Sequence, residues 1–255
     1  MSGLATAVTF YTRLPLRART VDPEDLARSV PWFPVVGLVI GTTIAAAFVT
    51  GTILFPNPVA AVLAVSIGAV STGAFHEDGL GDVADAFAGG WTVEQRLEIL
   101  DDPRQGTFGV LALVAAFLTR VTAIASLDPV TALALIPAAH ALSRVPGIVV
   151  MRRQPLARAD GLAGAFAARV TKAGEVAGVI VGLALGALLI GVWVVPAAVG
   201  CIGAAWGMAA LARRKVGGIG GDVLGAIQQL SELAVLLVGV AVVGNEWAEL
   251  VWWRP

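Results

Sequence analysis

Apolar residues in this chain do not alternate or recur at a helical period. They come in long, nearly unbroken runs, at 33–55, 58–75, 107–127, 129–151, 174–194, 196–212 and 223–243. A helix that crosses a bilayer needs about 20 such residues. The pattern therefore predicts an all-α, polytopic membrane bundle of about seven transmembrane helices. The second and sixth runs are short and rich in glycine and alanine. Polar residues concentrate in segments 1–30, 76–106 and 152–173, which leaves no room for a sizeable water-soluble domain. We read the 255 residues as one membrane-embedded catalytic domain in which 76–106 is an acidic cytoplasmic loop. No internal repeat emerges.

Composition agrees. The chain is 57% hydrophobic and 14% charged, whereas soluble domains carry about 25% charged residues. A net charge of −1 gives no bulk attraction to nucleic acid. The single cysteine, Cys201, excludes an intrachain disulfide and reads as a small packing residue. Residues 1–7 lack the positive start and long apolar stretch of a cleavable signal.

The placement of the charges carries more than their sum. Of 17 lysines and arginines, 14 fall in four segments: Arg13, Arg17, Arg19 and Arg28; Arg96 and Arg104; Arg152, Arg153, Arg158, Arg169 and Lys172; and Arg213, Arg214 and Lys215. The turns near Pro56, Asp128 and Val195 have none, and Arg254 stands outside. Loops rich in lysine and arginine stay cytoplasmic. Seven spans with a cytoplasmic N-terminus put all four segments on that face, in the cell's inner membrane, where the chemistry is expected. Gly178, Gly182, Gly186 and Gly191 read as contact points between closely packed helices.

Segment 76–106 holds 8 of the 18 acids: Glu77, Asp78, Asp82, Asp85, Glu94, Glu98, Asp101 and Asp102. Asp78, Asp82 and Asp85 are spaced i, i+4, i+7, so in a helix they share a face and repel. A divalent cation removes that repulsion, and Mg²⁺ prefers carboxylate oxygens bridged to substrate phosphates. Glu77 stands beside them as a further ligand candidate. His76 suits either metal binding or plain hydrogen bonding. Glu94 and Glu98 read as a solvated helix face. Gly106 and Thr107 begin an apolar run, and helix N-termini attract phosphate; Arg104 adds a planar donor for phosphate oxygens. Gly217, Gly218, Gly220 and Gly221 follow three cations and precede Asp222, which is either a helix cap or an active-site carboxylate. Arg120, Arg144 and Glu232 lie inside apolar runs, where ionisable groups are paired or functional; Arg120 is expected to pair with an acid. These features describe phosphoryl transfer, which rests on positioning and charge neutralisation.

At these residues the chain resembles the cobalamin synthase family of adenosylcobinamide-GDP ribazoletransferases. The matching blocks are FYTRLP (10–15), WFPVVG (32–37), His76 to Asp85, RLEILDD (96–102), RQGTFG (104–109), ALSR (141–144) and GDVLGA (221–226). The family often carries Ala at 81, Gly at 86 and Glu at 229, where this chain has Gly81, Ala86 and Gln229. No metal role is therefore expected at 229.

The resemblance implies that a hydroxyl of α-ribazole, or of its 5′-phosphate, attacks adenosylcobinamide-GDP. GMP is released and adenosylcobalamin or its 5′-phosphate is formed, with Mg²⁺ as cofactor. It also leaves room for association with other cobalamin-assembly enzymes. On that reading Asp78, Asp82 and Asp85 hold the metal. One of them, or Asp101 or Asp102, takes the proton. Arg13, Arg104 and Arg144 bind phosphate, and Gly221 with Asp222 closes the site. Two other readings compete. A CDP-alcohol phosphotransferase of lipid synthesis needs an aspartate spacing and an Ala-Arg pair that are absent here. An ion-coupled transporter would use Glu232, Arg144 and Arg120.

Overall fold

The computed structural model describes residues 3–14, 22–158 and 161–245, and the side chains of 161–163 are outside that description. Pro15, Arg17, Arg19 and Arg254 lie outside the described residues. The described chain is helical: α1 Gly3–Tyr11, α2 Pro23–Ser29, a 3₁₀ turn Val30–Trp32, α3 Phe33–Gly51, α4 Asn57–Thr72, α5 Phe75–Gly89, α6 Val93–Leu100, α7 Thr107–Ala125, α8 Pro129–Leu142, α9 Arg144–Arg153, α10 Gly161–Ala167, α11 Lys172–Ile190, a 3₁₀ turn Gly191–Trp193, α12 Val194–Val216 and α13 Gly221–Gly244.

Local signals set the helix starts. Asp22 accepts from the Glu24 amide at 2.7 Å with Pro23 in the first turn. Asp128 accepts from the amides of Val130 and Thr131 ahead of α8. Thr92 and Gln95 form a reciprocal capping box on α6.

Five helical runs are long and apolar enough to cross a membrane, or six if the bent pair α4–α5 counts as one span. The run Lys172–Val216 is counted as one of them, although its 45 residues would stretch about 68 Å as a straight helix. It turns back instead. Gly191, at φ 56°, ends α11 in a conformation that favours glycine, so this residue is a chain break and not a packing contact. The two ends of the run then return to one pole. At the start of α11, Glu175 pairs with Arg152 of α9 at 2.7 Å. Just past α12, Ile219 bonds to Pro155 and Ala157, which directly follow α9.

The same pole gathers the polar segments. Arg158 grips Asp101 at 2.8 Å, Arg96 donates to the Lys215 carbonyl, and Lys215 donates to the Phe87 carbonyl. Basic side chains thus close the C-terminal ends of α5 and α12. At the far end Asn57 donates to the Ala125 carbonyl, tying together two turns that lack lysine and arginine.

Close approach of backbones holds the core. A Cβ on Gly37 or Gly41 of α3 would fall 2.3 Å from the His140 carbonyl oxygen or 2.6 Å from the Pro137 Cα of α8. Only a hydrogen side chain permits that crossing. Gly178, Gly182 and Gly186 are buried, and they face Ile148, Val145 and Leu142 as expected. Large apolar side chains such as Val39, Ile180, Leu188 and Val199 remain outward, as a lipid-facing surface requires.

Segment 76–106 is not a loop. It forms α5 and α6 and enters the body of the protein, with His76, Leu80, Val83 and Phe87 buried. The alternation of small and apolar residues between its acids lets α5 pack against α7 and α13. It begins at a 92° bend after α4. There Gly73 and Ala74 both adopt left-handed backbone, with φ 66° and 55°. That conformation is uncommon for alanine, and strain of this kind clusters at functional sites.

Candidate active site

The face predicted for α5 exists, and burial deepens along it. Asp78 is exposed, Asp82 half-buried and Asp85 buried. The three meet different surroundings. Asp78 looks across to Asp222 in the first turn of α13, and the charges of Asp78, Asp222 and Asp85 all act on Asp82. Helices α5 and α13 come this near because Gly79 sits against the Asp222 backbone, where a Cβ would fall 2.7 Å from its carbonyl oxygen. Asp222 is not the helix cap, a position held by Gly220. It is a carboxylate facing other carboxylates. Asp82 accepts a 2.8 Å bond from Gln105 Nε2. Among the described residues no salt bridge reaches Asp78, Asp82 or Asp222.

Asp85 departs from its predicted metal role. Its two oxygens accept from the Gly106 amide at 2.7 Å and the Gly109 amide at 2.9 Å. The carboxylate therefore caps α7 from a neighbouring helix. The same bonds correct the reading of Gly106 and Thr107 as a phosphate seat, because the anion at that helix start is Asp85. The spacing that put Asp85 in line with Asp78 could not show that α7 begins opposite it.

Glu77 also departs from the metal set. It turns away from Asp78 and pairs with Arg120 of α7 at 3.0 Å. Arg120 reaches further, to the Gln229 side chain and to Glu232 of α13. Glu232 lies 3.5 Å from His140 Nδ1 and accepts from Gln228, which also donates to Ser143. This buried network holds most of the ionisable groups of the membrane core, and Arg120 does pair with an acid as expected. His140, Gln228 and Ser143 escaped the sequence reading. The signal was present, since His140 is one of two histidines and the glutamines interrupt an apolar run.

Asp101 and Asp102 are each held by an arginine. Both oxygens of Asp101 accept from Arg158. Asp102 and Arg104 pair at 2.6 Å on the surface, and hydrogen bonds from Arg104 hold the Asp102 carboxyl down to about 2. A group so acidic is a poor base near neutral pH. The two aspartates predicted as alternative proton acceptors are thus salt-bridged, which leaves Asp78, Asp82 and Asp222.

Among the described residues no three His, Cys, Asp or Glu side chains already form a group able to hold a metal ion. The predicted triad is therefore not a ready-made cage.

The predicted cations divide into two kinds. Arg13 is exposed, and its guanidinium lies over Gly73 at the α4–α5 bend, just before Asp78 on α5. Arg104 is exposed. Arg144 is only 4% exposed, and its Nε and one terminal nitrogen make no hydrogen bond. It stacks over the Tyr11 ring at 5.2 Å and lines a cavity of about 230 Å³. Gly221 stands at that cavity beside Asp222, whereas Gly217 and Gly218 serve the fold. Gly217 ends α12 at φ 83°, and Gly218 lies against the Pro155 carbonyl.

A family model described as cobalamin-5-phosphate synthase matches residues 3–240. Several curated relatives are named adenosylcobinamide-GDP ribazoletransferase. The protein of Azorhizobium caulinodans is 40% identical over 93% of this chain and 94% of its own length. That of Chlorobaculum tepidum is 39% identical over 97% and 99%, and that of Rhizobium meliloti 40% over 91% and 94%. No solved structure matches this chain. With its acidic and RQGTFG blocks meeting at one pole and the match running nearly end to end, the chain belongs to the cobalamin-5-phosphate synthase family.

Proposed function

We propose that this chain is the membrane transferase that joins α-ribazole, or its 5′-phosphate, to adenosylcobinamide-GDP. The observation that carries the reading is the set of three carboxylates, Asp78, Asp82 and Asp222, brought together by a glycine contact and without a salt bridge among the described residues. Crowded like charges are costly, and a fold keeps them where a ligand neutralises them. The names of the relatives supply the substrate.

The donor set fits Mg²⁺. That ion is bound through one or two carboxylates plus substrate phosphates rather than in an all-protein cage, and Asp78 and Asp82 lie one helical turn apart at a water-exposed pole. When bound there, Mg²⁺ neutralises diphosphate charge. Asp78 and Asp82 would hold it, with Gln105 fixing the Asp82 carboxylate. Arg13 and Arg104 bind the diphosphate oxygens. The Arg104–Asp102 pair is solvent-exposed, so exchanging it for a phosphate costs little. Asp222, between the aspartates and the cavity, accepts the proton of the ribose hydroxyl. The hydroxyl oxygen bonds to the corrinoid-side phosphorus, and the bond from that phosphorus to the GMP oxygen breaks. The leaving oxygen departs as part of GMP, its charge met by the arginines.

The described parts of the four basic segments share one pole, and lysine and arginine concentrate there. We infer that this pole faces the cytoplasm of the inner membrane. The whole chain then acts as one catalytic unit.

The test is direct. The purified chain in lipid nanodiscs, given Mg²⁺, α-ribazole and adenosylcobinamide-GDP, should release GMP and form adenosylcobalamin in equal amounts. Chelation should stop the reaction, and added Mg²⁺ should restore it. No GMP release under these conditions overturns the assignment.

A further inference from the structure

The phosphate chemistry leaves the cavity of about 230 Å³ unused. Five of the ten phenylalanine and tyrosine rings in the chain line it: Phe10, Tyr11, Phe33, Phe75 and Phe166. They form its walls through near-perpendicular contacts, with Phe10–Tyr11 centroids at 4.9 Å and Tyr11–Phe33 at 4.8 Å. Polar groups enter at His76, Ser143, Arg144 and Gln228. Arg144 is the decisive one. A buried guanidinium with unmet donors is costly, and among the described residues no hydrogen-bond acceptor meets its Nε or one of its terminal nitrogens.

We propose that this cavity takes the planar benzimidazole base of α-ribazole, with the free donors of Arg144 directed to oxygens on its sugar. The assignment rests on the transferase reading above and deepens it. Size divides the two substrates. An apolar cavity of about 150 Å³ accepts benzene, so 230 Å³ admits a two-ring base, whereas a corrin macrocycle does not fit. Wall chemistry agrees, because flat rings pack edge-to-face and offset against aromatic side chains. The walls also lead to the reacting groups. Gly221 lines the cavity one residue before Asp222, and His76 lines it two residues before Asp78. A base seated here leaves its ribose beside the carboxylates.

Gly147 offers a clean way to fill the cavity. It lines the wall, and among the described residues a Cβ there meets only Leu224, at 4.0 Å. The substitution Gly147→Leu should raise KM for α-ribazole at least about tenfold, since even one misplaced methylene costs that much in a fitted pocket. KM for adenosylcobinamide-GDP should not change. Unchanged KM for α-ribazole, or a rise for the corrinoid substrate instead, overturns the cavity assignment while wild-type GMP release keeps the transferase reading intact. If Gly147→Leu is inactive towards both, wild-type protein in nanodiscs decides through hydrogen–deuterium exchange. α-Ribazole alone should slow exchange at 143–148 and 221–228, and adenosylcobinamide-GDP alone should not. Protection confined to other segments removes the proposal.

Discussion

Two groups of carboxylates on α5 and α13 have opposite fates. Glu77 and Glu232 point into the core. There they are balanced by Arg120, with His140 and two glutamines completing the network. Asp78, Asp82 and Asp222 point to the water-exposed pole and have no salt bridge among the described residues. Charge at membrane depth must be paired for the bundle to exist. Charge at the pole can be left unpaired, because water screens it and a ligand can use it. The first group ties the helices together, and the second is the one proposed to hold the substrate.

The largest expected effect tests the first half of that contrast. Arg120→Ala leaves Glu77 and Glu232 without their common partner. Breaking a buried pair costs about 3–5 kcal/mol, so thermal unfolding in detergent should show a severe loss of folded protein. A variant as stable as wild type would mean the network is not structural. Asp82→Asn tests the second half. Loss of a group one shell removed from a metal costs up to about 100-fold, so kcat should fall by more than that, with membrane insertion and thermal stability unchanged. Near-normal turnover would remove the metal assignment.

Arg104→Gln comes next. Its loss removes a charge-assisted bond to phosphate worth about 1.5–3 kcal/mol. KM for adenosylcobinamide-GDP should rise by about tenfold or more, with KM for α-ribazole unchanged. Asp85→Asn separates a cap from a ligand. With one acceptor oxygen in place of two, α7 should lose about 1 kcal/mol of stability, measured by urea unfolding, and kcat should fall far less than in Asp82→Asn. Equal losses of activity would return Asp85 to the metal set. The smallest effect is expected at Asp102. Its carboxyl is held below its ordinary 3.8, at about 2, so its contribution is complete above 3.8 and lost only as pH falls through about 2. At any pH above 3.8, Asp102→Asn should therefore not alter the pH dependence of stability, and a changed slope of stability with pH near neutrality would contradict the ion pair.

The acids of segment 76–106 show where pattern stops informing. Their i, i+4, i+7 spacing correctly placed Asp78, Asp82 and Asp85 on one face, because helical geometry is local. It said nothing of what stands opposite. Asp85 meets the amides of α7, and Asp222 arrives from more than a hundred residues away. Glu77 is next to Asp78 in the chain, yet a helix turns neighbours about 100° apart, which is enough to send one to the core and the other to water. Calling the segment a loop weighted its charge over its periodicity. The exposed faces of Glu94 and Glu98 on α6 were legible, as were the packing glycines of α11, because both depend on a single helix.

What the sequence determined by itself was the solvent of this protein, its helical class, its family and the acidic stretch proposed to carry the phosphate chemistry. Each of these is written in runs, spacings and residue types along one strand of chain. Tertiary structure alone decided which carboxylates are partnered, that Gly191 reverses the chain, and that rings from residues 10 to 166 wall one cavity beside Arg144, two of whose nitrogens meet no acceptor among the described residues. Pairing and enclosure are properties of surfaces from distant segments, and only packing brings those segments together.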